Sequence, residues 1–206
     1  MIDSNINAVI FDFGGVIINI DYNDTIEAFT TLGISDFSSM YSQAQQSNLF
    51  NALEVGQISA QRFINGLLDY LPPGTSPNKV VSAWNAMIQD VPPATIDLLN
   101  ELKYKGYKIF LLSNTNEIHI KPAIAAWTKS SDRTMESTFN HVYLSHEIGM
   151  RKPHKAIFER VCREQNLNAY ETLFIDDSIQ HIEGAKAAGL HTHHLLNQSD
   201  IYSLFS

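Results

Sequence analysis

Stretches with helical periodicity alternate with short apolar runs through the second half of this chain, and that alternation constrains its fold more than any other feature. "ATIDLLNELKYKG" (94–106) precedes the run "YKIFLLS", and "NEIHIKPAIAAWTK" (116–129) precedes "HVYLS" (141–145). "PHKAIFERVCREQN" then leads to "TLFID" (172–176), and "SIQHIEGAKAAG" to "HTHHLL" (191–196). Helix and strand in strict turn predict a parallel sheet with helices on both faces. Residues 7–12 form a further apolar run of the type buried on both sides in such sheets, so the first strand belongs with the later ones.

Between them, the chain reads as helix from Asp24 to about Ile88. "DTIEAFTTL" offers Asp24 and Glu27 as a capping box, with Ile26, Phe29 and Leu32 apolar. Ser59 is placed to cap a helix that gathers Phe63, Ile64, Leu67, Leu68 and Leu71 on one face, and Val80, Val81, Trp84, Met87 and Ile88 repeat the spacing. "DVPP" (90–93) punctuates the chain. The predicted fold is therefore α/β: a Rossmann-like parallel core made of residues 1–17 and 91–206, with residues 18–90 inserted as a helical cap over the strand ends.

The 206 residues allow one good core plus a small lobe. A formal charge of −8 repels nucleic acid and anionic membrane, so neither is an expected partner. No run reaches membrane-span length, and the N-terminus lacks the features of a signal peptide. A single cysteine, Cys162, excludes an internal disulfide and points to a reducing cytoplasm. The oligomeric state is not legible.

Ligands of open parallel sheets bind outside the carboxyl ends of the strands. Those ends carry Asp12, Ser113 with Asn114, Lys152 in the loop "GMRKP", and the pair Asp176 and Asp177. Each alone is open to a bland reading: turn chemistry for Ser113, a solvated loop lysine for Lys152, a helix cap for the acidic pair. Together they are not bland. Three carboxylates in one crevice repel unless a cation lies between them, and an all-oxygen set without clustered Cys or His selects Mg²⁺. Lys152, Ser113 and Asn114 supply donors for phosphoryl oxygens, and Gly14 and Gly15 let backbone N–H groups approach. A carboxylate at Asp12 can then serve as a nucleophile that forms an aspartyl-phosphate.

"FDFGGV", "LLSNTN", "GMRKP" and "FIDDSIQHIEGA", in this order, resemble the four motifs of the haloacid dehalogenase-like superfamily, in the branch with a helical cap after the first motif. The resemblance extends over essentially the whole chain and is strongest to bacterial sugar-phosphate phosphatases. It implies a Mg²⁺-dependent phosphomonoester hydrolase acting on a small phosphorylated substrate. Asp12 would be nucleophile and Mg²⁺ ligand, the Gly14 carbonyl and Asp177 further ligands, and Asp176 a support behind them. Ser113, Asn114 and Lys152 would hold the phosphoryl group.

Two positions depart from that pattern. The superfamily's phosphatases carry a general acid two residues after the nucleophile, where this chain has Gly14. His181 stands where Asp or Asn is usual, four residues beyond Asp177. The missing acid implies modest turnover and a preference for esters with acidic leaving groups. It also keeps two rivals open: a 2-haloacid dehalogenase, and a phospholigand-binding protein of negligible turnover. "HTHH" is expected to face solvent, Trp84 and Trp127 to be core, and Cys162 to be an inert buried thiol. Tyr22, Glu54 and Gln57 are candidates for facing substrate from the cap, in an orientation the sequence leaves open.

Overall fold

The computed structural model describes residues 3–37, 39, 41 and 48–205. Five parallel strands form one sheet in the order β3-β2-β1-β4-β5. They are β1 (Ala8–Phe11), β2 (Lys108–Ser113), β3 (His141–Leu144), β4 (Thr172–Asp176) and β5 (His191–His194). β1 lies at the centre, with Phe11 level with Leu111 on one side and Ile175 on the other. One step further along, this register brings Asp12 level with Asp176 at the carboxyl edge.

The runs of β1, β2 and β4 are largely apolar because each of these inner strands feeds two cores, whereas the edge strand β5 (HTHH) is half-buried and contributes to neither. Val9, Phe11, Ile109, Leu111 and Ile175 point into one cluster, while Ala8, Ile10, Phe110, Leu112 and Phe174 point into the other. Helices α5 (Pro93–Tyr104) and α6 (Ile120–Ser130) cover the first, and α9 (Lys155–Gln165) and α10 (Ile179–Ala187) cover the second. The expected α/β core is thus present. Two short helices, α7 (Met135–Thr138) and α8 (Ser145–Ile148), were not legible in the periodicity, since one turn is too short to show a period. A terminal turn, α11 (Ile201–Leu204), closes the first cluster through the fully buried Ile201.

Residues of the helical block, α1 (Tyr22–Thr31), α2 (Leu49–Glu54), α3 (Ala60–Leu68) and α4 (Pro77–Asn85), pack around their own apolar cluster. Phe63 is its centre: fully buried, with Phe50 and Trp84 rings 5.6 and 5.0 Å away. Ser59 caps α3 as its position suggests, accepting from the Arg62 N–H. The cap of α1 is Asp21, which accepts from the Asn23 N–H, rather than the expected box of Asp24 and Glu27; the helix begins three residues earlier than the box requires. Ile26 consequently falls on an exposed side of α1, while Thr25 and Phe29 face inward.

The chain enters and leaves this block along paired backbone. Ile20 and Ile88 form an antiparallel bridge, flanked by Asn19 N–H to Asp90 O (2.9 Å) and Asp21 N–H to Met87 O (3.0 Å). A second tie is the stack of Trp84 on His119, whose Nε2 lies 3.0 Å from the Trp84 carbonyl. Burial pushes the His119 imidazole down to about 4, so this tie is uncharged at neutral pH. Among the described residues no helix is long and apolar enough to cross a membrane.

Because Phe63 fills the middle of a small cluster, truncation leaves a cavity the block cannot close. Phe63→Ala should cost about 3–5 kcal/mol, read as a lower denaturant midpoint with an unchanged slope.

Candidate active site

The carboxyl edge of the sheet gathers the groups that the motifs place there. Lys152 is the pivot: its ammonium lies 2.7 Å from Asp12 Oδ1 and 2.7 Å from Asp176 Oδ2, and the residue is fully buried. The reading of Lys152 as a solvated loop side chain is thereby excluded. Its Nζ also sits 5.4 Å above the Phe174 ring. Burial by itself would lower the lysine pKa, but the two carboxylates outweigh it and raise it, so the ammonium keeps its proton.

The two carboxylates fare differently. Burial pushes Asp12 up to about 7, with Lys152 pulling it down and Asp176 adding to the rise. Burial also acts upward on Asp176, but Lys152 and His181 more than offset it and hold that carboxyl well below the usual range. Asp176 is the better-solvated charge by protein groups: Oδ1 accepts from the Ser178 N–H (2.8 Å), and His181 Nδ1 lies 2.9 Å away. The substitution at His181 is therefore a support for Asp176. Asp12 Oδ1 takes both the Phe13 N–H (2.6 Å) and Lys152, which leaves Oδ2 free toward the cavity.

Asn114 does not point its amide at the cavity as a free donor. Its Nδ2 donates to the Lys152 carbonyl (3.0 Å) and its Oδ1 accepts from the Lys152 N–H (2.9 Å), so it clasps the lysine main chain. Ser113 ends β2, is nearly buried and lines the cavity, and its hydroxyl makes no hydrogen bond among the described residues. The following loop is pinned by Ser145, whose Oγ accepts from the Thr115 N–H and donates to its carbonyl. That residue was missed in the sequence, where it reads as the end of a strand.

The turn after Asp12 explains its two glycines separately. Gly15 has φ +71°, and a Cβ there would lie 2.4 Å from Asp177 Oδ2, so only glycine lets that carboxylate approach. Its N–H is taken by the Ile18 carbonyl and does not face a ligand. Gly14 has an ordinary φ, but a Cβ there would meet Ile20 Cδ1 at 2.4 Å. The space of the absent acid is thus filled by an isoleucine. Neither the Gly14 N–H nor its carbonyl is hydrogen-bonded among the described residues.

These groups form the floor of a cavity of about 500 Å³ roofed by the helical block. Asp12, Gly14 and Asp177 lie below; Tyr22, Glu54 and Trp84 line it from the block. Gln57 does not, and opens instead on a neighbouring groove beside Val55 and His154. Trp84 is core, as expected, and also a wall of the cavity. "HTHH" is half-buried rather than solvent-facing, and His194 Nε2 lies 2.9 Å from the Asp177 carbonyl. Cys162 is half-buried beside the second core cluster, and burial raises its thiol pKa.

Asp12, Asp176 and His181 bring ligand atoms within 4.8 Å of one another, but the Lys152 ammonium already bridges the two carboxylates of this group. Asp177 is the carboxylate left without a cation: no ion pair reaches it among the described residues. Partial burial and then the neighbouring Asp176 push it upward. Asp12, Gly14 and Asp177 line the same cavity, and a carboxylate oxygen, a backbone carbonyl and a second carboxylate are hard donors of the kind Mg²⁺ takes.

Removing the lysine leaves two buried carboxylates uncompensated. Lys152→Met should lose about 3–5 kcal/mol of stability. The deficit should be smaller at about pH 5 than at about pH 7.5, because protonation then relieves the carboxylates. Equilibrium denaturation at both pH values measures it.

The haloacid dehalogenase-like hydrolase family matches residues 6–189. The D-ribitol-5-phosphate phosphatase of Bacteroides thetaiotaomicron is 31% identical over 195 residues, covering 95% of this chain and 94% of that protein. A crystal structure of a HAD family enzyme from the same organism superposes with a TM-score of 0.90 at 32% identity, covering 98% of both chains. That enzyme in complex with magnesium and inorganic phosphate gives a TM-score of 0.83 at 32% identity, covering 91% of this chain and 93% of that one. With the match spanning most of its length, this chain belongs to the haloacid dehalogenase-like hydrolases.

Proposed function

We propose that the protein is a Mg²⁺-dependent phosphatase that hydrolyses a small sugar or polyol phosphate through an aspartyl-phosphate on Asp12. The observation that carries this is the division of labour at the sheet edge. Lys152 bridges Asp12 and Asp176, while Asp177, which no ion pair reaches among the described residues, lines the same cavity as Asp12. A similar fold binds magnesium with inorganic phosphate, and a relative covering nearly the whole chain is named for a polyol phosphate.

In this reading residues 18–90 are the cap and the remainder the catalytic core. Asp12, Asp177 and the Gly14 carbonyl hold Mg²⁺, which neutralises phosphoryl oxygens as charge moves in the reaction. Lys152 holds Asp12 in place and lends positive charge to the transferring group, Ser113 donates to a phosphoryl oxygen, and Asn114 positions Lys152. Asp176 acts by anchoring the lysine. Asp12 attacks phosphorus, the ester oxygen leaves, and water then cleaves the acyl-phosphate and frees the carboxylate. The lone cysteine and the acidic surface suit a cytoplasmic enzyme.

The dehalogenase reading needs no metal, and it gives Asp177 nothing to do. A binding protein of negligible turnover would share the metal site, and it is separated from an enzyme by turnover of phosphate esters and by a phosphoryl group trapped on Asp12.

Two outcomes test this. Asp12→Asn should abolish turnover while the protein stays folded, as judged by circular dichroism, and phosphorylation trapped on any other residue would refute the nucleophile. Since Asp12 is pushed up to about 7 in the metal-free protein, Mg²⁺ must displace a proton to bind at lower pH. Affinity measured by calorimetry should weaken by up to about tenfold per pH unit below about pH 7, with proton release into buffer. Pre-ionised ligands would give neither.

A further inference from the structure

The departure of an alcohol from phosphorus needs a proton, and the residue that would give it is absent. Gly14 has no side chain, and Ile20 fills the space one would occupy. Yet the cavity is built for an uncharged organic part: Trp84, Met87, Ile26 and Ile88 line it alongside the polar floor. A phosphate of a simple alcohol placed there would have to expel an alkoxide.

The donors that line the cavity are few. His119 is held neutral, with one ring nitrogen near the Trp84 carbonyl and the other near the Asn116 amide. His181 spends Nδ1 on Asp176, and its Nε2 lies 3.5 Å from the Asn114 amide. Asp12 and Asp177 belong to the floor. Glu54 remains. It comes from the end of α2 in the cap, and its Oε2 is buried with no hydrogen bond, although Arg151 Nη2 lies 3.1 Å away. Arg151 meanwhile gives its other terminal nitrogen to the Asn51 side chain.

The position of Glu54 is fixed by the core as well as by the cap. Two residues on, Gly56 has φ +67°, and a Cβ there would lie 2.2 Å from the His146 carbonyl of α8. Only glycine lets the end of α2 seat this closely on the core, which carries Glu54 to the cavity wall.

We infer that Glu54 is the general acid and base of this phosphatase, supplied by the cap in place of the group absent at Gly14. The inference rests on the phosphatase reading and goes beyond it. In the first half-reaction Asp12 forms its bond to phosphorus as the bond to the ester oxygen breaks, and that oxygen takes the proton of the Glu54 carboxylic acid. The alcohol leaves and Glu54 is a carboxylate. In the second, water enters the vacated position and gives Glu54 a proton as it attacks phosphorus. The acyl-phosphate bond breaks, releasing phosphate and an ionised Asp12, and Glu54 is again an acid. Burial raises the Glu54 carboxyl, while Arg151 chiefly, then His181 and Lys152, pull it back. Tyr22 and Tyr41 are the other ionisable groups that face it. The net direction, above an ordinary carboxyl, favours proton exchange with an alcohol oxygen.

The role separates from a purely structural one by leaving-group dependence. Mg²⁺-loaded wild type, Glu54→Gln and Glu54→Asp are assayed on D-ribitol 5-phosphate, whose alcohol needs a proton, and on p-nitrophenyl phosphate, whose phenolate does not. Glutamine keeps the shape and a polar contact to Arg151. Turnover of the ribitol ester should fall about 10²-fold or more in Glu54→Gln, with loss of the alkaline limb of its kcat profile. The nitrophenyl ester should lose less than about threefold, and Glu54→Asp should recover part of the ribitol activity. Equal losses on the two esters, or no loss on either, would overturn Glu54 as the acid while leaving the phosphatase reading intact. If wild type hydrolyses neither ester, that reading falls and the role of Glu54 falls with it.

Discussion

Everything at the sheet edge depends on one buried ammonium. Lys152 lies between Asp12 and Asp176 with no exposure to solvent, and without it two carboxylates one strand apart could not both be charged there. The parallel register forces the closeness: Phe11 is level with Ile175, so the next residues are level too. The lysine is in turn held by main-chain contacts from Asn114, at the end of the strand on the other side of β1. Three strand ends are thus tied through a single residue, two by its side chain and one by its main chain, and the remaining acid, Asp177, is left facing the cavity.

This arrangement sets apart groups that hold charge from groups that can move it. Asp176 is bound on both oxygens and kept ionised, which makes it an anchor. Asp12 is held through one oxygen only, with the other open, and its carboxyl lies near neutrality until a cation arrives. The two residues are alike in the sequence. Their surroundings give them different tasks.

The alternation of helix and strand was legible because the inner strands are buried on both faces and the covering helices on one, which leaves clear periods. The motif residues were legible for a related reason, since a polar group ending an apolar run stands out. What escaped was short or relational. Ser145 as a pin for the loop after β2 depends on a single-turn helix, and the contact of His194 with the Asp177 carbonyl depends on β5 lying beside β4. The sequence shows that Gly14 lacks an acid, but that Ile20 fills the space follows only from the turn between them. Asn114 reads as a phosphoryl donor, and its commitment to Lys152 appears only when the two loops are brought together.

Ile20 has two neighbours that connect distant parts of the molecule. Its main chain pairs with Ile88 where the helical block joins the sheet region, and its side chain lies over Gly14, two residues beyond Asp12. The junction and the floor of the cavity therefore share one residue. A change in the backbone at that bridge would be transmitted through the Ile20 side chain to the turn that carries Asp12. Conversely, a side chain placed at position 14 would first meet the Ile20 Cδ1 methyl. In mechanical terms the residue is a short lever between the roof of the cavity and its floor.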